Sequence, residues 1–525
     1  MKKIFKIYPI IFVILIQNLS AQESEEQTKP VELPGVIFFG KEQLKISSSI
    51  KQFPNRPSKL SSAELDSLNT LEKQQIFIIP TKPLPTSITK IDFKKNYLDA
   101  KFGSFLTPNA EAGFNFDLLN LNFFAKANFE LSNGHLDKAG YSKIAFTIAN
   151  DFIAPEKYWI FGGSRTNSIF SIKNNNYNLY SFPSATNRNL FDLNFNIKSE
   201  GNFEGFHFYT GGKAGIMQLS QDIGNAFDNY ICGFVKIRNK YDNFYIGGNL
   251  SLDLHSIRGD GLSFFELSGN FAYSLFEAKL GIQLGSTSNS ETKANILIEG
   301  KFNYYFNEDF SFKASISQEL INNSFSDMMI LNPYLSDSAK INFETSRTLK
   351  AYMFYKPNTK FLLSAGIFLG FNENTPYFIS DSSGAFILNY GSTNCFGVNT
   401  EGSWQISQED NLNYNLELNF KTLKDNSNIV PHHIPFKFAI TYRRQWTNEL
   451  SSNISITYVS QRYADLQNIK ILDAYLNVNL FVNYKISNTF SIFAKFENLL
   501  NSDMRIWEGY KERGIFVSGG LLWEF

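Results

Sequence analysis

Leu412-Asn413-Tyr414-Asn415-Leu416-Glu417-Leu418-Asn419-Phe420-Lys421-Thr422 changes character at every step. The even positions are Leu, Tyr, Leu, Leu, Phe and Thr, and the odd ones are Asn, Asn, Glu, Asn and Lys. A repeat of two is the repeat of a β-strand with one apolar and one polar face. The same pattern recurs along the chain. Leu121, Phe123, Ala125, Ala127, Phe129 and Leu131 oppose Asn122, Lys126, Asn128 and Glu130. Ile296, Ile298, Gly300, Phe302, Tyr304 and Phe306 oppose Glu299, Lys301 and Asn303. Leu476, Val478, Leu480, Val482, Tyr484 and Ile486 oppose Asn477, Asn479, Asn483 and Lys485.

Strand length carries more information than the alternation itself. Strands of soluble proteins average about five or six residues. These hold their pattern for about ten or more, the length a tilted strand needs to cross a bilayer. Short links occur at Pro155-Glu156, Asn307-Glu308, 356–359, 408–411, Thr447-Asn448-Glu449 and Ser487-Asn488-Thr489. Between them lie longer polar stretches at 164–188, 320–341, 423–431, 461–470 and 498–511. Short turns on one side and long loops on the other mark an outer-membrane barrel. Lipid offers the backbone no hydrogen-bond partners, so such a sheet must close on itself. The expected fold is therefore all-β, a closed antiparallel barrel over 97–525. The best parse gives 22 strands, with 16 or 18 as alternatives. It is least defined at 107–109, 164–188 and 385–394.

Composition agrees with a lipid-facing wall. The 525 residues carry 49 Lys+Arg against 49 Asp+Glu, and only 19% are charged, against about 25% in typical soluble domains. The balance argues against a nucleic-acid partner, which calls for basic excess. Aromatics reach 16%, with 53 Phe and 25 Tyr. Tyr304, Tyr305, Phe306 and Tyr484 lie at strand ends and are candidates for the aromatic girdles of a membrane barrel. Cys232 and Cys395 are too few for a disulfide scaffold or a Cys-based zinc site.

At the other end, Lys2, Lys3 and Lys6 precede an apolar run and Leu19-Ser20-Ala21, which reads as a secretory signal peptide over 1–21. Residues 22–96 hold seven of the 16 prolines. They also contain Ser61-Ser62-Ala63-Glu64 ahead of Leu65, Leu68 and Leu71, a capping-box start for one short helix. This segment reads as periplasmic or lumen-filling and largely irregular.

The last strand reads Ile515-Phe516-Val517-Ser518-Gly519-Gly520-Leu521-Leu522-Trp523-Glu524-Phe525, with Val517, Leu521, Trp523 and Phe525 on one face. A terminal Phe on an alternating strand resembles the signal by which barrel assembly machinery recognises outer-membrane barrels. Upstream, Glu497-Asn498-Leu499-Leu500-Asn501 closes a strand, followed by Gly509-Tyr510 and Gly514. That order resembles the closing hairpin of TonB-dependent receptors, especially those of Bacteroidota-like bacteria. Residues 32–40 resemble the segment that opens the family's plug, the place of a TonB-contact box. The resemblance implies an outer-membrane location among lipid and lipopolysaccharide. It also implies a periplasmic energy-coupling partner. One departure stands out: 22–96 is short and proline-rich for a plug, and barrels of this size are normally plugged. Either this segment partly fills the lumen, or loops fold inward, or a partner supplies the stopper.

Candidate chemistry is sparse, and neither a catalytic centre nor a cofactor is expected. His432-His433, between Pro431 and Pro435, reads as a surface metal contact or a solvated loop. His207 sits within a strand, at a girdle or lumen position. Cys232 alternates with Tyr230, Phe234 and Lys236 and reads as a lone lumen-side residue. Three functions fit: a solute-uptake barrel, a non-transport platform for assembly or surface attachment, and a barrel enzyme acting on lipid.

Overall fold

The structure, a computed structural model, describes residues 95–118, 121–181, 186–222, 224–288 and 290–525. The expected signal peptide lies outside them, as does the proline-rich segment with its helix, apart from Lys95 and Asn96. Within the described residues, 22 strands form one sheet in which each is hydrogen-bonded to the next along the chain. We number these wall strands β1 to β22. The first, β1 (Tyr97–Gly103), pairs antiparallel with the last, β22 (Phe516–Glu524), so that Tyr97 faces Glu524 and Gly103 faces Ser518. The barrel is closed. The alternation parse of 22 strands holds, and 16 and 18 are excluded.

Register sorts the side chains onto two faces. On β8 (Asn225–Tyr241), Ile231, Val235 and Ile237 are exposed, and on β9 (Phe244–Ile257) so are Leu250, Leu252 and Leu254. Asp228, Tyr230, Cys232, Asp253 and His255 alternate with them on the other face. A belt of exposed Ile, Leu and Phe recurs on strand after strand around the wall. A fully exposed apolar side chain forgoes about 1.5–3 kcal/mol of burial in water, so this belt belongs in lipid. The polar face lines the lumen.

The wall is taller than a bilayer in places. The hairpin of β15 (Phe361–Ser380) and β16 (Phe386–Gln405) has 20 residues per strand, roughly 65 Å along the strand. An apolar band is only about 25 Å tall, so the hairpin projects well beyond it. A bulge shifts its register between Asn372 and Thr375, with Asn374 at φ +55°.

One stretch differs from the sequence reading, and two that it left least defined are strand. The expected loop at 164–188 is mostly strand: β5 (Arg165–Leu179) pairs with both neighbours, and β6 starts at Thr186 (Thr186–Phe203). Residues 385–394 fall almost wholly in β16, and Thr107 already begins β2 (Thr107–Leu118). The physical reason for the first two is height. Above the bilayer the outward face of a strand meets water while the inward face packs on the chain's own loops, as Leu179, Phe386 and Leu388 do, so the lipid-imposed alternation fades although pairing continues.

The long connection 322–343 joins β13 (Phe310–Ile321) to β14 (Glu344–Asn358) and carries α1 (Phe325–Leu331), the only α-helix among the described residues. Ser324 starts it: its side chain accepts from Asp327 N–H, and the Asp327 carboxylate accepts from Ser324 N–H, a reciprocal cap. Phe325, Met328 and Met329 then form one buried face.

Candidate functional site: a mouth closed by the chain's own loops

The buried face of α1 points inward. Phe325, Met328, Met329, Leu335 and Phe343 pack against Leu190, Met217, Leu219, Ile257, Leu262 and Phe264. These wall residues share the lumen face, since Met217 and Leu219 flank the outward row of Ile216, and Ile257 follows Asp253 and His255. The connection is therefore a lid folded into the long-loop mouth.

Polar side chains of the wall hold the lid by its backbone. Arg188 is fully buried and donates to Leu335 O at 2.7 Å. Tyr177 donates to Pro333 O at 2.6 Å, and Lys293 to Phe343 O at 3.0 Å. Arg258 donates to Asp337 O and to Ala339 O, the latter at 2.8 Å. Asp228 accepts Ser326 N–H at 3.0 Å through Oδ2, while its Oδ1 lies 2.8 Å from His255 Nδ1. Asp228 is wholly buried and His255 nearly so. Each bond of this kind contributes about 0.5–1.5 kcal/mol, and more where a charge is involved. Their number makes the closed position specific and individually reversible.

Beside the lid, five connections meet in an aromatic clasp. Tyr334 of the lid stacks on Tyr510 with ring centroids 3.5 Å apart. The Tyr510 hydroxyl donates to Gly384 O at 2.7 Å. Tyr180 meets Tyr510 edge-on at 5.1 Å, and Trp507 lies 5.2 Å from Phe386 and 5.0 Å from His432. Buried Arg462 donates to Arg505 O and to Ile506 O, tying 460–474 to 498–515. His432 and His433 are thus neither solvated nor a surface metal contact. Burial and the neighbouring Arg462 hold the His432 imidazole down at about 4, and burial holds His433 at about 4 while its Nε2 lies 2.9 Å from Asn419 O.

Two cavities flank the lid. One of about 350 Å³ is lined by Tyr141, Lys143, Tyr177, Tyr334, Glu512 and Arg513, with burial raising the Glu512 carboxyl. The other, about 500 Å³, touches Arg258, Asp337, Lys340 and Tyr390. Further down, the lumen wall balances its charges, with Lys279–Glu266 at 2.7 Å and Lys301–Glu299 at 2.5 Å.

No family model matches the sequence, and no curated protein does. Solved structures do match. The copper transporter OprC superposes with a TM-score of 0.62 at 11% identity, covering 82% of this chain and 80% of that one. The ferric yersiniabactin uptake receptor FyuA from Yersinia pestis gives 0.64 at 10%, covering 82% and 80%. The FrpB iron transporter from Neisseria meningitidis gives 0.63 at 10%, covering 83% and 82%. The chain has the fold of these uptake barrels. At such identities the likeness is one of fold alone.

The sequence-predicted residues fall in distinct places within this barrel. Asn498, Asn501, Gly509, Tyr510 and Gly514 shape the last long connection. Buried Asn498, at φ +50°, donates to Ser502 O and Arg513 O and accepts Ser502 N–H. Asn501 accepts from Ile515 N–H, and a side chain on Gly514 would strike its Oδ1. Glu497 pairs with Lys495 at 2.7 Å and Arg513 at 3.5 Å, and Leu499 N–H bonds Val478 O. Val517, Leu521, Trp523 and Phe525 share the outward face of β22, and Phe525 N–H bonds Asn96 O. Tyr304 and Phe306 touch at 4.9 Å in a run of rings that continues through Phe310 to Tyr355 at the short-turn end. Tyr484 is also exposed there, whereas Tyr305, opposite Ser311, falls on the lumen face. His207 lies in the lumen, 2.8 Å from Glu200. Cys232 also faces the lumen but is not alone: His255 Nε2 is 3.9 Å from its sulfur. Spacing in the sequence could not show this, because the pair depends on β8–β9 register.

Gly509 illustrates how tightly the clasp is built. It sits at φ +82°, and a Cβ there would come within 2.7 Å of Ser181 Cβ. Gly509→Val is expected to destabilise the 498–515 connection by about 1–3 kcal/mol. Faster hydrogen exchange of its amides would register the loss, and unchanged exchange would refute it.

Proposed function

We propose that this chain is an outer-membrane uptake barrel of the TonB-dependent receptor type, from a Bacteroidota-like bacterium, lacking a full plug and gated at its long-loop mouth by its own lid. The observation that carries this reading is the lid itself. An irregular chain segment is folded inside the wall and held by separable side-chain-to-backbone bonds, the build of a part that moves. The closed 22-strand wall, its polar, charge-balanced lumen and the shared fold of solved transporters support passage of a polar solute. The closing hairpin and the 32–40 segment support coupling to a periplasmic TonB-like protein. Lipid and lipopolysaccharide form the surroundings, and the outward Val517–Phe525 face is the assembly signal.

Planar bilayers test the proposal. The intact protein is expected to conduct little. A variant with 324–342 replaced by a tight turn should conduct steadily, and removing 22–94 as well should raise conductance further. Silence from every variant would reject a pore and favour a platform for surface attachment.

A further inference from the structure

Beneath the lid, the lumen face carries a thiol and an imidazole nitrogen, Cys232 Sγ and His255 Nε2, that the lid's own bonds leave unused. His255 gives one ring nitrogen to Asp228, with Nδ1 and Oδ1 2.8 Å apart. A carboxylate can only accept, so Nδ1 carries the hydrogen, and in the neutral imidazole Nε2 keeps its lone pair. Asp228 is itself fixed, because its second oxygen accepts Ser326 N–H. The imidazole is therefore locked in tautomer and orientation, as ligating histidines are by a neighbouring carboxylate. Its Nε2 meets the sulfur of Cys232 at 3.9 Å. Cys232 is a free cysteine, and it stands opposite Asp253 on the paired strand.

That separation suits one shared ion. Bonds of about 2.0 Å to nitrogen and 2.3 Å to sulfur, the lengths zinc makes, span about 4.3 Å when linear, so a linear two-coordinate ion needs the two side chains to part by only about 0.4 Å. Among the described residues no group of three or more His, Cys, Asp or Glu surrounds a common point. Divalent ions that demand four protein ligands thus find no cage. Two donors, one a thiolate, are what soft d¹⁰ ions accept. We propose that Cys232 and His255 form a two-coordinate site for a soft monovalent cation of the copper(I) or silver(I) class. The ion takes the place of the thiol hydrogen. That hydrogen leaves to solvent as a proton, so each ion bound releases one proton and no electron is exchanged. Asp228 acts as a positioning residue that holds Nε2 toward the sulfur.

The test uses the full chain in detergent under nitrogen, titrated with silver(I), and with copper(I) supplied as its coloured bicinchoninate complex. The wild type should withdraw one equivalent of ion and release one proton. Cys232→Ser should lose uptake, Asp228→Asn should bind about 10–100-fold more weakly, and Cys395→Ser should match the wild type. Bound silver should also shield Cys232, and not Cys395, from maleimide in the unaltered protein, a readout that needs no variant to fold. No uptake by the wild type, or equal uptake by Cys232→Ser, would overturn the site.

Discussion

Asp228→Ala will loosen the lid over the lumen by on the order of a hundredfold. The carboxylate holds two donors at once, Ser326 N–H at the start of α1 and the Nδ1 hydrogen of His255, and is itself wholly buried. Alanine leaves both donors without an acceptor in a site closed to water. Each unmet buried group costs about 1–3 kcal/mol, and lifting α1 is the way to hydrate them. The penalty falls on the closed state, so the open fraction rises. Asp228→Asn should act more mildly. Its amide oxygen can still accept Ser326 N–H, and its NH₂ can face Nδ1 once the imidazole proton moves to Nε2. What is lost is charge assistance, roughly half the bond strength. The order Ala, Asn, wild type should appear in the rate at which a protease cuts within 322–343. Heat-dependent gel mobility would confirm that the barrel stays closed in all three. Equal cutting rates would mean that the apolar face of α1 alone keeps the lid in place.

Acid should weaken the aromatic clasp. His432 and His433 are held neutral in the closed mouth, at about 4, chiefly by burial. A freed histidine titrates near 6.5. The open form therefore binds more protons wherever the pH lies below about 6.5. The clasp keeps its full strength above that value and loses it progressively as the pH falls toward about 4. At pH 5 each imidazole released favours opening by about thirtyfold. The cations beside them, Arg462 near His432 and Lys421 near His433, act in the same direction by opposing protonation in place. Hydrogen exchange of 424–435 and 498–515, corrected for intrinsic rates, should accelerate between pH 7 and 5. His432→Leu with His433→Leu should flatten that response. A profile unchanged by the double substitution would assign the pH effect to other groups.

The wall was readable in the sequence because a bilayer imposes alternation. Leu412 to Thr422 shows it cleanly, and it lies in β17 (Asp410–Leu423), where one face meets lipid. The pattern failed where the bilayer ends. Lys173-Asn174-Asn175-Asn176 alternates poorly and looked like a loop, yet it pairs residue by residue with β4 (Tyr141–Ile153) and β6. The lid left a signal that a polar-loop reading passed over. Ser324 and Asp327 make a capping pair, and Phe325, Met328 and Met329 follow at helical spacing. The clasp left none. Tyr334, Tyr510 and His432 come from connections far apart in the chain, and only folding shows that they share a point.

The seam between β1 and β22 has a consequence for the order in which the molecule forms. Every other wall pairing is between consecutive strands and can arise as a local hairpin, whereas this one joins the two ends of the barrel through seven register pairs. Closing so long a loop is entropically the most expensive contact in the molecule, and non-local pairings form late. Until then β22 presents a row of unpaired backbone groups with Trp523 and Phe525 beside them. The barrel thus passes through an open, curled ribbon whose last edge stays adhesive until the ends meet, and a short β1 leaves few bonds to hold them there. Loss of even one or two of those pairs should be felt first as slow or failed closure, before any change in the finished wall.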